Sequence, residues 1–73
     1  MDTQQLEEIG EHLRSLGHER REAVERIVAD TSTGNDRVVQ HFKDLDRISE
    51  QAINLMEKQR SMIREELTQR GPM

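Results

Sequence analysis

The chain has 73 residues, 36% of them charged and 32% hydrophobic, with a single aromatic residue, Phe42, and no cysteine. That length supports one small domain at most, and the composition excludes disulfides and any large pocket lined by rings. A formal net charge of −4 runs against binding to a nucleic-acid backbone, which calls for a basic stripe and usually aromatic stacking.

The first predicted element is a helix over residues 3–31. Apolar residues recur at Leu6, Ile9, Leu13, Leu16, Ala23, Val24, Ile27 and Val28, and steps of three and four place them within an arc of about 140° on a helix. Asp2 or Thr3 can cap its start, with Glu7 and Glu8 close to the positive end of the dipole. Gly10 and Gly17 each weaken this helix by about 1 kcal/mol relative to alanine. Arg20 falls inside the stripe, where such a residue packs its stem and pairs its head, with Asp46 or Glu50 in reach.

The break falls at 31–36, where Thr31, Ser32, Thr33, Gly34, Asn35 and Asp36 follow one another. Short polar side chains there compete for the backbone, and Gly34 accepts a left-handed turn. The turn itself is expected at 31–35.

A second helix follows over 35–70, capped by Thr33 or Asn35, with a main stripe of Val38, Phe42, Leu45, Ala52, Met56, Ile63 and Leu67. Arg70, Gly71 and Pro72 supply a cation, a glycine cap and a stop. Ile48, Leu55 and Met62 repeat every seven residues on a flank of this stripe, and seven is the period of a coiled-coil seam. The fold class expected is therefore all-α, an antiparallel helical hairpin. With the turn near residue 34, Leu13 faces Met56, Leu6 faces Ile63, Ile27 faces Phe42 and Gly17 faces Ala52. One seam is too little core for a free-standing domain of this size. The main stripe is read as the seam inside the hairpin, and the Ile48, Leu55, Met62 flank as the face on which two hairpins dimerise into a four-helix bundle. Phe42 and Leu45 anchor that contact near the turn.

Chemistry is sparse. His12 follows Glu8 by one turn, but no second such pair exists and the acids lie outside the stripes, so no metal is expected. No serine, histidine and aspartate stand on a strained turn beside an oxyanion hole, no phosphate-cradling glycine loop occurs, and no cofactor is implied. The first twenty residues are acidic with no apolar run, no stretch reaches the roughly 18 apolar residues of a membrane span, and the cytoplasm is the expected setting.

One run does have a counterpart. Gln40, Phe42, Asp44 and Leu45 within residues 40–45 resemble the Gln-x-Phe-x-Asp-Leu run of the CheZ-type chemotaxis phosphatases. That resemblance implies a dimer of helical hairpins acting on the phosphorylated receiver domain of a response regulator, with Asp44 at the acidic catalytic position. The family's catalytic glutamine sits four residues further on, where this chain has Ile48. Asp36 and Gln40 have the same one-turn spacing, the arrangement that water positioning requires. The reading adopted is a non-enzymatic adaptor or regulator, acting through self-association and protein contacts, with a response regulator or signalling kinase as the partner class. The rival is an aspartyl-phosphate phosphatase using Asp36, Gln40 and Asp44. A third reading is a small chaperone for a helical partner.

Overall fold

A computed structural model describes residues 2–34 and 36–71. They form two helices, α1 over Thr3–Thr33 and α2 over Val38–Gln69, packed as a hairpin. The pairing is antiparallel. Asp30 meets His41 beside the turn, while Asp2 and Gln5 share the open end with Met62, Glu66 and Gln69.

The helix ends show which residues set the boundaries. Asp2 is extended and its side chain accepts a hydrogen bond from the Gln5 amide at 3.1 Å, which satisfies one of the free donors of the first turn. At the other end α1 runs two residues beyond the expected 31. The hydroxyls of Ser32 and Thr33 donate back to the carbonyls of Val28 and Asp30, at 2.9 and 3.1 Å. Bonding of that kind leaves the helical turn in place, and the chain leaves it only at Gly34, with φ 70° and ψ 27°. A left-handed residue of this sort is the common end of a helix and favours glycine.

The start of α2 differs from the expectation. Thr33 belongs to α1, and Asn35 lies outside the described residues. The capping position is Arg37, which makes no side-chain cap, so α2 begins at Val38 and Asp36 stays in the turn. Gly71, with φ 84°, follows α2, and Arg70 Nε donates to Glu66 Oε1 at 2.8 Å one turn back.

The seam is built from small and medium residues. Ile9, Leu16, Ala23, Ile48 and Ala52 are buried, and Leu13, Leu45 and Leu55 pack against them at its edges. Among the described residues no polar or charged side chain is buried. This layout corrects the assignment of the two stripes on α2. Ile48, Leu55 and Met62, expected on the outer flank, lie toward α1, with Ile48 buried and the other two half-buried. Four members of the main stripe face out instead: Phe42, Met56, Ile63 and Leu67 are 54%, 47%, 42% and 63% exposed. Leu45 and Ala52 remain with the seam.

The physical reason is the angular centre of α2. Leu45, Ile48, Ala52 and Leu55 form a run of three- and four-residue steps that continues through Gln59 and Met62. Facing α1 with that run sets Ala23 close to Ile48 and leaves both backbones near each other. Centring on Phe42 and Met56 would put larger side chains opposite Ile27 and Leu13.

The result is long and thin. The molecule measures 56 × 19 × 16 Å with a radius of gyration of 17.0 Å, against roughly 11 Å for a compact chain of this length. It exposes 6016 Å² for a mass of 8.6 kDa, whereas a compact monomer of that mass exposes roughly 4,700 Å². The difference, roughly 1,300 Å², is the deficit of core set by a fold with one seam.

Candidate interaction face

The two long flanks of the hairpin differ in chemistry. On α2, Phe42, Met56 and Ile63 follow one helical line, and Val39, Ile53 and Leu67 a second line beside it. Together they form a stripe about 90° round the helix from the seam. All six are between 42% and 63% exposed. On α1, Val24 and Val28 are 44% and 61% exposed and project from the same side as Leu13 and Gly17. A shallow groove lined by Leu13, Leu16, Gly17 and Arg20 from α1 and by Ala52 and Met56 from α2 joins the two stripes. The exposed apolar residues of both helices therefore share one side of the hairpin. Leu13 with Met56 and Gly17 with Ala52, two of the facing pairs expected from the turn position, line this groove together.

The other side is polar. Its open end is lined by Asp2, Gln5, Met62, Glu65, Glu66 and Gln69. Along the outer surface of α1, His18 and Arg26 flank Glu22 at 3.1 and 3.8 Å, and Arg21 lies 3.5 Å from Glu25. Exposed pairs of this kind contribute little stability, roughly 0.3–0.5 kcal/mol each on a helix. Arg20 is exposed at the rim of the apolar groove and makes no ion pair with Asp46 or Glu50. Its aliphatic stem extends the apolar surface instead.

Glycines mark the α1 half of this face. A Cβ built at Gly10 or Gly17 meets nothing within 4 Å, so packing inside the hairpin requires neither glycine. Both leave the α1 backbone open to close approach from outside.

Among the described residues, one histidine–carboxylate contact crosses the seam, and sequence reasoning did not find it. His41 Nε2 lies 2.7 Å from Asp30 Oδ2, with the two side chains 21% and 20% exposed. That oxygen is shut off from solvent and receives no hydrogen bond. The contact becomes an ion pair when the imidazole is protonated. Asp30 and His41 occupy the positions where the seam reaches the turn, so the pair fixes the register of the hairpin rather than forming a pocket. Its signal in the sequence was the seam spacing: His41 precedes Ile48 by seven residues, as Asp30 follows Ala23.

Gln40 Nε2 donates to Asp44 Oδ1 at 3.0 Å, and Arg47 Nη2 lies 3.9 Å from the same oxygen. The Gln40 amide nitrogen is thus engaged along its own helix. Asp36 is in the turn, where its carbonyl accepts from the Val39 amide at 3.3 Å; it does not share a helical face with Gln40. Ile48, at the position of the family's glutamine, is 8% exposed within the seam. Asp36 and Gln40 are exposed and Asp44 is half-buried.

Among the described residues no cluster of histidine and acidic side chains could hold a metal, and no helix is long and apolar enough to cross a membrane. No family model, curated protein or solved structure matches the chain.

Proposed function

We propose that the protein is a non-enzymatic interaction module, a helical hairpin that self-associates through its apolar side into a four-helix bundle and works as an adaptor or regulator. The supporting observation is that Val24, Val28, Val39, Phe42, Ile53, Met56, Ile63 and Leu67 are all exposed and lie along one side. Singly exposed apolar residues are ordinary; a continuous side of them on a chain of this size marks a contact surface. The extra exposed area of roughly 1,300 Å² per chain is what one partner contributes to an interface of about 2,600 Å², in the range of obligate dimers. In such a bundle the polar sides of both hairpins remain outward, available to a second protein. A response regulator or signalling kinase is the partner class suggested by the resemblance over residues 40–45. Light scattering on the purified protein tests the reading: a dimer of about twice 8.6 kDa is expected, and a folded monomer at micromolar concentration would contradict it.

The phosphatase alternative has weaker support. Its amide is engaged by Asp44, Asp36 lies in the turn off the helical face of Gln40, and Ile48 is buried in the seam. A chaperone role predicts a stable heteromer in place of the homodimer, and the same scattering measurement on material purified from its native cell separates the two.

A further inference from the structure

We infer that the two copies pack with their turns at opposite ends, α2 against α2, antiparallel about a two-fold axis passing beside Ile53. This rests on the self-association proposed above and adds the orientation of the copies.

The inference comes from the outer stripe of α2. Its two lines are each spaced by seven residues: Val39, Asp46, Ile53, Arg60 and Leu67 on one, and Phe42, Ser49, Met56 and Ile63 on the other. These are the two core positions of a coiled-coil seam. The first line is interrupted by two charges of opposite sign, Asp46 and Arg60, each seven residues from Ile53. Both are exposed, and neither takes part in an ion pair within the hairpin.

A two-fold axis at Ile53 brings Asp46 of each copy within a helical turn of Arg60 of the other. It also sets Val39 near Leu67 and Phe42 near Ile63, so apolar groups meet apolar groups along the whole stripe. The axis makes two ion pairs at once, at levels about 10 Å either side of its centre. Parallel packing of α2 on α2 would instead oppose Asp46 to Asp46 and Arg60 to Arg60, and like charges at a partly desolvated seam are strongly disfavoured. Stacking with both turns at one end would lay α2 over the partner copy's α1, with Asp46 about a turn from Arg20 at the groove rim but Arg60 near the level of Gly10, where the stripe holds no acidic residue, so that arrangement pairs only one of the two charges.

The α1 half of the face agrees with this axis. Gly17 lines the groove with Ala52, at nearly the height of Ile53, so the axis brings the α1 helices of the two copies together at Gly17. A Cβ there meets nothing in the hairpin, and its absence lets the two backbones come close at the crossing.

Because the chain has no cysteine, single-cysteine variants report the geometry directly under mild oxidation. Ile53→Cys should cross-link with itself. Asp46→Cys and Arg60→Cys should each fail alone and cross-link when mixed. Independently, Asp46→Arg and Arg60→Asp should each weaken the dimer roughly tenfold, and an equimolar mixture of the two should recover the wild-type affinity as a heterodimer. A dimer in which Asp46→Cys cross-links with itself, or in which both charge reversals leave the affinity unchanged, would overturn the antiparallel arrangement while leaving self-association intact. A monomeric wild-type protein would remove both.

Discussion

Replacing Phe42 with alanine separates the dimer from a free-standing hairpin. Phe42 is 54% exposed, so of the roughly 150–250 Å² that a phenylalanine can bury, about 100 Å² remains on the surface of the hairpin. Covering that area is worth about 2–2.5 kcal/mol per copy at about 25 cal/mol per Å². A two-fold interface counts it twice, so dissociation should become easier by up to about 4–5 kcal/mol, or roughly a thousandfold in the dissociation constant. In an isolated hairpin the same change removes only the half-buried remainder of the ring. It also replaces an aromatic by a better helix former, worth about 0.5 kcal/mol in the opposite sense. Sedimentation equilibrium of wild type and variant over a wide concentration range measures the difference. An unchanged mass distribution, with only a slightly lower melting temperature, would refute the assignment of Phe42 to an interface.

Other substitutions address the seam, the caps and the alternative chemistry. Leu16→Ala, at a residue 3% exposed, should cost about 2–3 kcal/mol in denaturant unfolding, the low end of core truncations because a thin seam can close over the gap. Leu55→Asp should unfold the hairpin itself, seen as loss of helical circular dichroism at every concentration, because Leu55 packs on the core cluster. Gly34→Ala, at φ 70°, should destabilise by about 1 kcal/mol, whereas Gly17→Ala should raise the helicity of the dissociated chain and weaken association. Asp2→Ala should cost about 1 kcal/mol through loss of the cap. Gln40→Ala and Asp44→Ala should leave the dephosphorylation of a cognate receiver domain at its spontaneous rate, as should the wild-type protein; acceleration by the wild type alone would revive the phosphatase reading.

The hairpin was legible in the sequence because helix periodicity is a local property. The steps from Leu6 to Val28 and from Val38 to Leu67 specify two helices, and Asp2 and Gly34 supply their caps. Which stripe of α2 faces α1 was harder to read. Both candidates are apolar, one residue apart, and hydrophobicity favoured the line with Phe42, Met56 and Ile63. Close approach of two helices favours smaller and branched residues at the contact, which selects Ile48, Ala52 and Leu55. The Asp30–His41 pair was missed because neither residue is apolar and each joins the seam only once the register is known. Asp36 and Gln40 looked co-facial because Asp36 was placed inside α2; a helix that begins at Val38 removes that geometry.

The most direct test of the central claim is the thermal melt of the wild-type chain, followed by circular dichroism at protein concentrations spanning two to three orders of magnitude. If the apolar side is completed by a second copy, folding is coupled to association, and the midpoint rises steadily with concentration. A cooperative melt whose midpoint stays fixed across that range would show that the hairpin is stable alone, and would contradict the account.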